Sequence, residues 1–139
     1  MSARSFLDTN VWIYAAGGED EAPAKKARAL DIIAGEDLGV STQVVGEFVN
    51  AARKPNKARK PMSQVEAALW VDRILAFPLV EVDRAVVLRA ITVQGRYRLG
   101  FWDSQMIACA ERFGADVLYS EDLSHSQRYG DVRCVNPFV

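Results

Sequence analysis

The 139-residue sequence predicts an α/β domain in which helices cover both faces of a mostly parallel sheet. Short apolar segments with strand character alternate along the chain with longer segments of helical periodicity. Half of the residues are hydrophobic and a quarter are charged, which is typical of a globular protein. Because the length suits one ordinary domain and no internal repeat is present, residues 1–139 are predicted to form a single domain.

The first half of the chain is expected to alternate between strand and helix. A loop through Gly17 and Gly18 is predicted to follow the first strand. Gly35 would end the first helix, since glycine tolerates the left-handed conformation that closes many helices. Pro55 discourages continuation of the second helix. The strands are expected at residues 5–8 and 38–41, and the helices at 24–34 and 43–53.

The second half continues the alternation. Ser63 and Glu66 have the spacing of a capping box, Asp83 can cap the next helix, and Gly114 would end the last one. Helices are expected at 63–76, 84–94 and 103–113, and strands at 79–82, 116–120 and 132–135. In such sheets, ligand sites form at the carboxyl ends of the strands. Acidic residues that follow strands are therefore candidates for one shared site.

Composition excludes several classes of site. Cys109 and Cys134 are too few for a disulfide framework, and free buried thiols are expected. The single histidine, His125, disfavours a Cys/His zinc site and is expected to make a surface hydrogen bond. The net charge of −1 gives no overall basic field for nucleic acid. No apolar run is long enough to span a bilayer and no secretory signal is evident, so a cytoplasmic location is expected.

Asp8 and the pair Glu121–Asp122 follow strands that are predicted to end at the same edge of the sheet. Asp8 interrupts an apolar stretch, where an unpaired buried carboxylate is costly. Asp116 begins its strand, about 16 Å away, and is therefore expected at the opposite edge. Asp8 could instead cap a helix, and the pair could lie in a solvated loop.

Glu47 and Asp103 are expected to lie on helices near apolar surfaces. Glu47 falls at the margin of the apolar stripe of its helix, and Asp103 falls on the buried stripe of its own. The helix dipole favours an anion at the amino end, near Asp103, by roughly 0.3–1 kcal/mol. Phe101 and Trp102 are expected to keep water away from it. A structural glutamate and a simple N-cap are the alternatives.

Several acids at one edge require neutralisation. Two carboxylates about 5 Å apart repel by roughly 3 kcal/mol at an effective dielectric constant of 20. No lysine or arginine is predicted among Asp8, Glu47, Asp103 and the Glu121–Asp122 pair. Carboxylate oxygens suit Mg²⁺ or Mn²⁺, which can polarise a phosphodiester and activate water. The sequence therefore predicts a divalent-metal site.

The ordered motifs resemble those of PIN-domain ribonucleases. These motifs are Asp8-Thr9-Asn10 after a strand, Glu47 in an early helix, Leu99-Gly100-Phe101-Trp102-Asp103 opening a late helix, and Ser120-Glu121-Asp122-Leu123 ending a strand. Length and motif order are similar to those of VapC toxins from bacterial toxin–antitoxin pairs. The resemblance implies an α/β/α sandwich with a five-stranded, mainly parallel sheet and Mg²⁺- or Mn²⁺-dependent endoribonuclease activity. It also implies a homodimer and a small inhibitory antitoxin.

The resemblance also implies roles for individual residues. Asp8, Glu47 and Asp103 would form the acidic triad, and Asp122 would supply the fourth acid. Ser120 matches the hydroxyl residue that usually lies two positions before the fourth acid, and Asn10 is a further supporting residue. Leu123 stands where family members commonly carry phenylalanine, so Asp122 is preferred over Glu121 without excluding it.

Two basic segments are candidates for RNA contact because cations neutralise phosphates. Arg53, Lys54 and Lys57 follow the helix that carries Glu47. Arg96 and Arg98 flank Tyr97, which could stack on a base. A solvated surface loop is the alternative for the first segment.

The motifs fit two other kinds of phosphoryl-transfer protein less well. A haloacid-dehalogenase-like phosphotransferase would need an acid at the position of Asn10, and a receiver domain would need paired acids after its first strand. A non-catalytic PIN-like module that binds RNA or protein remains the principal alternative. The sequence does not distinguish among transfer, ribosomal and messenger RNA as the substrate.

Overall fold

A central sheet flanked by helices is formed by residues 3–17, 21–35, 37–57 and 59–139, which the computed structural model describes. The strands in these residues are Arg4–Leu7 (β1), Asp37–Ser41 (β2), Leu79–Val80 (β3), Val117–Tyr119 (β4), Arg128–Tyr129 (β5) and Val132–Val135 (β6). The helices are Thr9–Ala16 (α1), Pro23–Gly35 (α2), Thr42–Ala52 (α3), Gln64–Ile74 (α4), Arg84–Tyr97 (α5) and Phe101–Phe113 (α6).

The strand order is β3-β2-β1-β4-β6-β5. All neighbouring strands pair in parallel except β5, which pairs antiparallel with β6. The predicted α/β fold class is confirmed, but the described residues form six strands where the sequence predicts five. The additional strand, β5, has only two residues, so it is too short to produce a pattern of alternating hydrophobicity.

The prediction of a loop directly after the first strand is wrong for residues 9–16, which form α1. Asp8 caps this helix by accepting a hydrogen bond from the backbone N–H of Thr9. Val11, Trp12 and Ile13 are buried on consecutive positions of α1, so the helix lacks the polar face that marks most surface helices. Of the Gly17–Gly18 pair that suggested the loop, Gly18 lies outside the described residues.

The predicted helix caps at Ser63, Asp83 and Gly114 are confirmed. The Ser63 hydroxyl accepts a hydrogen bond from Glu66 N at 3.1 Å, and Asp83 Oδ1 accepts one from Val86 N at 3.0 Å. Gly114 ends α6 in the left-handed conformation, with φ of +81°. Such backbone geometry is readily adopted by glycine and is strained for residues with a Cβ.

The core lies between the central strands and the helices. Helix α1 packs against α2 and α3, and α3 packs against α4, whereas α5 packs against α6, which in turn contacts the sheet. A close approach between β2 and α6 requires Gly39, since a Cβ there would lie 2.5 Å from the ring of Phe113. Because β1, β2 and β4 are parallel, they direct the residues that follow them, Asp8, Thr42 and Ser120, towards the same edge of the sheet.

The cysteines, the histidine and the lengths of the helices bear on the remaining expectations from composition. Cys109 and Cys134 are buried free thiols, as predicted. His125 accepts a hydrogen bond through Nδ1 from the backbone N–H of Asn136 at 3.0 Å, in an exposed position. Within the described part of the chain, no helix combines the length and apolar character that a membrane span requires.

Candidate active site

The four candidate acids Asp8, Glu47, Asp103 and Asp122 line one cavity of about 290 Å³. They come from the end of β1, the middle of α3, the first turn of α6 and the segment after β4. The remaining lining residues are Thr9, Asn10, Gln43, Asn50, Ala51, Trp102 and Met106. None of these lining residues is a lysine or arginine, so the cavity has a strongly negative character.

Asp8 is the most constrained of the four acids, with only 7% of its surface exposed. Its carboxylate accepts hydrogen bonds of 2.7 Å from Thr9 N and of 2.7 Å from the Ser120 hydroxyl. Burial raises the pKa of Asp8 from 3.8 to about 6, against the opposing effect of these hydrogen bonds, and the charges of Asp122 and Glu47 add to the increase. Asp8 is therefore both a helix cap and a member of the acidic cavity.

Glu47 is half-buried and is oriented by two neighbours. The Thr9 hydroxyl donates a hydrogen bond of 2.7 Å to its Oε1, and Gln43 Nε2 donates one of 3.3 Å to its Oε2. Gln43 lies four residues earlier on the same face of α3, where side chains at this spacing meet. The carboxylate is thus fixed at the margin of the helix and directed into the cavity.

Asp103 does not cap its helix, because α6 begins at Phe101 and has Gly100 as a cap without a side-chain hydrogen bond. The pKa of Asp103 is raised by partial burial and by the charges of Asp122 and Glu47. Trp102 is 64% exposed. The expectation that aromatic residues exclude water from Asp103 is therefore wrong for Trp102, because the helix begins two residues earlier than predicted and Trp102 lies exposed in its first turn.

The structure distinguishes Asp122 from Glu121. Asp122 lines the cavity, where Asn10 Nδ2 donates a hydrogen bond of 3.0 Å to its Oδ2. Glu121 instead accepts hydrogen bonds of 2.5 Å from the Tyr14 hydroxyl and 2.9 Å from Lys25 Nζ. Burial alone would raise the pKa of Glu121, but these two partners hold it below its ordinary value. Glu121 is therefore committed to an ion pair outside the cavity.

The donor set fits a hard divalent cation in its chemistry. Carboxylate oxygens predominate, and the raised pKa values of Asp8 and Asp103 show acids that lack a compensating positive charge. Among the described residues, however, no three acidic, histidine or cysteine side chains already stand close enough together to hold a metal ion. Because Mg²⁺ is commonly bound through only one or two carboxylates with water completing its coordination, a site of this kind does not need three acids in contact.

The predicted RNA-binding cations do not line the acidic cavity. Lys54 and Lys57 are exposed beyond the end of α3, and Arg53 donates a hydrogen bond of 3.2 Å to the carbonyl of Met62. The second basic segment, Arg96 to Arg98, is exposed at its two arginines. Its aromatic residue, Tyr97, packs edge-on against Tyr129 and accepts a hydrogen bond from Gly130 N. These contacts disfavour stacking of Tyr97 on a base.

Sequence reasoning missed several residues of the cavity. Thr9 and Gln43 orient Glu47, while Asn50 and Trp102 contribute to the wall. The four-residue spacing between Gln43 and Glu47 was an available signal. The contribution of Thr9 depends on the packing of α1 against α3, which local sequence does not reveal.

Comparison with known proteins agrees with this architecture. The family model of the PIN domain matches residues 5–130. No curated protein sequence matches the chain. The solved structures with similar folds include Mycobacterium tuberculosis VapC20, described as a sarcin–ricin loop cleaving toxin, with a TM-score of 0.69 and 17% identity over 93% of this chain and 98% of that one.

Two complexes are also similar. One is VapBC2 from Rickettsia felis bound to promoter DNA, with a TM-score of 0.65 and 15% identity over 94% of this chain and 96% of that one. The other is a toxin–antitoxin complex from Klebsiella pneumoniae, with a TM-score of 0.68 and 16% identity over 96% and 97% of the two chains. At this level of identity the likeness concerns the fold. The match to the family model, together with this fold, shows that the chain belongs to the PIN-domain family.

Proposed function

We propose that this protein is a divalent-metal-dependent endoribonuclease and acts as the toxin of a toxin–antitoxin pair. The observation that supports the proposal is the convergence of Asp8, Glu47, Asp103 and Asp122 on one cavity, whose lining among the described residues includes no cationic side chain. A surface that only bound RNA phosphates would gain nothing from this clustered negative charge. The same observation therefore disfavours a non-catalytic RNA-binding module.

The four carboxylates are the residues that would hold Mg²⁺ or Mn²⁺. Such an ion, when bound, polarises a phosphodiester and lowers the pKa of an attacking water molecule. The neighbouring polar side chains orient these carboxylates. Ser120 holds Asp8, Thr9 holds Glu47 and Asn10 holds Asp122. Hydrogen bonds of this kind restrict the rotamers of metal ligands and typically matter about 10- to 100-fold for metal affinity or activity.

The proposal extends to partners. Because proteins of similar fold occur in complexes with antitoxins, we expect a small cognate antitoxin to cover the acidic cavity. We also expect a homodimer and a cytoplasmic location. The RNA substrate could be ribosomal, transfer or messenger RNA. Exposed cations beyond α3, including Lys54 and Lys57, are proposed to contact its phosphates.

Purified wild-type protein should cleave total RNA in the presence of Mg²⁺ or Mn²⁺ and should lose this activity in excess chelator. Asp8→Asn and Asp103→Asn should each abolish cleavage while preserving the circular dichroism spectrum. Asp131→Asn is the matched control, since Asp131 is an exposed acid that does not line the cavity. Cleavage by wild type in chelator, or equal cleavage by the Asp8 and Asp103 variants, contradicts the proposal.

Sequencing of newly formed RNA 5′ ends after inducible expression would identify the substrate. The chemistry of the ends tests the mechanism as well. Attack by activated water should leave a 5′-phosphate and a 3′-hydroxyl at each cut. A 2′,3′-cyclic phosphate would instead indicate attack by the ribose 2′-hydroxyl and would argue against metal-activated water.

A further inference from the structure

A second cavity, of about 410 Å³, adjoins the acidic one and is mainly apolar. The two cavities share Gln43, Glu47 and Trp102. The other residues that line the second cavity are Thr42, Gly46, Val82 and Gln105. Among the described residues that line the second cavity, Glu47 alone is charged, and it also lines the acidic cavity. The volume falls within the range of small-ligand sites.

Trp102 forms the boundary between the two cavities. Its side chain is 64% exposed, although its ring packs edge-on against Phe101 with ring centroids 5.1 Å apart. A large aromatic ring that stays exposed beside an apolar cavity offers a flat surface for stacking. Nucleobases stack on such rings with little dependence on sequence.

Gly46 keeps the second cavity open. It lies in the middle of α3, where glycine is the poorest helix former after proline. A Cβ built at this position would meet no atom within 4 Å, so protein packing does not require glycine there. A side chain at position 46 would instead project into open space at the cavity wall. The position is therefore suited to the close approach of a ligand.

Amide side chains connect this wall to the acidic cavity. Gln43 Nε2 donates hydrogen bonds to the carbonyl of Trp102 at 3.0 Å and to Glu47 Oε2 at 3.3 Å. Gln105, which is only 4% exposed, donates a hydrogen bond of 2.9 Å to Gln43 Oε1. A ligand seated against Trp102 would therefore be held in a fixed position relative to Glu47.

We propose that the second cavity binds a nucleobase of the RNA strand next to the phosphodiester at the acidic cavity. The inference rests on the proposed nuclease function and assigns a substrate subsite to it. A nucleotide joins a flat, uncharged base with apolar faces to an anionic phosphate. The mainly apolar second cavity suits the base, and the adjoining acidic cavity is where the metal-dependent reaction of the phosphodiester is proposed. Single-stranded RNA exposes its bases for this kind of stacking.

Binding of the base can be tested without metal and without cleavage. Adenosine, guanosine, cytidine and uridine carry no charge at neutral pH, so the acids do not repel them. Saturation-transfer NMR of each nucleoside in chelator should show contact of its base protons with the wild-type protein. Gly46→Leu should fill the cavity and weaken nucleoside binding by about tenfold or more, as expected for the loss of stacking.

Gly95→Leu is the matched control. Gly95 is an exposed glycine of α5, a Cβ there would also meet no atom within 4 Å, and the residue does not line the cavity. Trp102→Ala should lose the nucleoside signal, and Trp102→Phe should restore part of it. The nucleobase site is supported if Gly46→Leu and Trp102→Ala lose the nucleoside signal while Gly95→Leu retains it.

Other outcomes of these experiments would contradict the nucleobase site. Equal nucleoside binding by Gly46→Leu and Gly95→Leu, or no signal from the wild-type protein, contradicts the site. A change of oligomeric state in Gly46→Leu with an unchanged nucleoside signal would show that the face binds a protein chain instead. Equal RNA cleavage by both leucine variants would refute the subsite and leave the nuclease intact. Nucleoside binding that depends on Gly46 in a protein without nuclease activity would refute the proposed function alone.

Discussion

The Ser120 hydroxyl donates a 2.7 Å hydrogen bond to Oδ2 of Asp8, which lies 112 positions earlier in the chain. Both residues are buried, and they follow the adjacent parallel strands β4 and β1. The same hydroxyl accepts a hydrogen bond of 3.1 Å from the backbone N–H of Asp122. A single oxygen atom thus connects two of the four acids of the cavity.

Ser120→Ala should shift the pH dependence of RNA cleavage. The hydrogen bond from Ser120 lowers the pKa of Asp8, so its loss should raise that pKa above about 6. If cleavage requires ionised Asp8, the acidic limb of the pH–rate profile should move to higher pH. The buried carboxylate also loses a partner, which should cost about 1–3 kcal/mol of unfolding free energy. Ser124→Ala, at an exposed position, is the control, and an unchanged acidic limb would contradict this account.

Asp8→Asn should stabilise the metal-free protein at neutral pH. The pKa of Asp8 is about 6 in the fold and 3.8 ordinarily. Between these values the folded state binds more protons than the unfolded state, so the stability contributed by Asp8 falls as pH rises through this window. The ionised group then destabilises the fold by about 3 kcal/mol above pH 6, and asparagine removes that cost.

Urea unfolding in chelator measures this difference. We expect Asp8→Asn to be more stable than wild type at about pH 7.5 and to lose its advantage by about pH 3, where Asp8 is largely protonated in both the folded and the unfolded state. Comparison with wild type at each pH cancels the titration of other groups. Asp131→Asn should show no such pH-dependent difference. A destabilised Asp8→Asn protein at pH 7.5 would indicate that the carboxylate is needed for the fold.

Features of the site that depend on neighbouring residues could be predicted from the sequence, whereas features that depend on residues far apart in the chain could not. The strand ends that carry Asp8 and Asp122 follow from alternating elements and a parallel sheet, so their shared edge is predictable. Asp103 is placed in the correct helix, but its role as a first-turn residue rather than a cap depends on a two-residue shift in the helix start. Helix boundaries are the least determined feature of a local pattern.

The choice between Glu121 and Asp122 could not be made from local sequence. It depends on Tyr14 and Lys25, which are 107 and 96 positions away from Glu121. Helix α1 could not be predicted, because its buried residues, among them Trp12, occupy consecutive positions and leave no polar face that would give a periodic pattern. Both features arise from tertiary packing, which sequence patterns record poorly.

Substitutions at the two adjacent acids should have unequal effects on cleavage. Asp122→Asn should reduce RNA cleavage by about 10-fold or more, because loss of a residue that merely orients a metal ligand already costs roughly 10- to 100-fold. Glu121→Gln should retain most activity, because Glu121 faces Lys25 rather than the cavity. Cleavage rates at saturating Mg²⁺ provide the comparison. A larger loss for Glu121→Gln than for Asp122→Asn would reverse the assignment.

Removal of exposed cations beyond α3 should weaken RNA binding without changing the chemistry at the cavity. For Lys54→Ala combined with Lys57→Ala, the slope of log affinity against log salt should become shallower by about 0.7 for each lost phosphate contact with single-stranded RNA. Fluorescence anisotropy over a salt series measures that slope. Arg128→Ala, on the exposed side of β5, is the control. Identical slopes for the double variant and wild type would exclude these lysines from the RNA path.

Divalent cations should stabilise the fold through the acidic cavity. Since burial and neighbouring charges raise the pKa values of Asp8 and Asp103, a bound cation should relieve the repulsion among these acids. A ligand present at 100 times its Kd raises the unfolding free energy by about 2.7 kcal/mol, provided that it binds only the folded state. We expect Mg²⁺ or Mn²⁺ to raise the melting temperature of wild type above that in NaCl of equal ionic strength. Asp103→Asn should lose most of this increase, whereas Asp131→Asn should keep it. An equal increase in both variants would mean that the cation acts elsewhere on the surface.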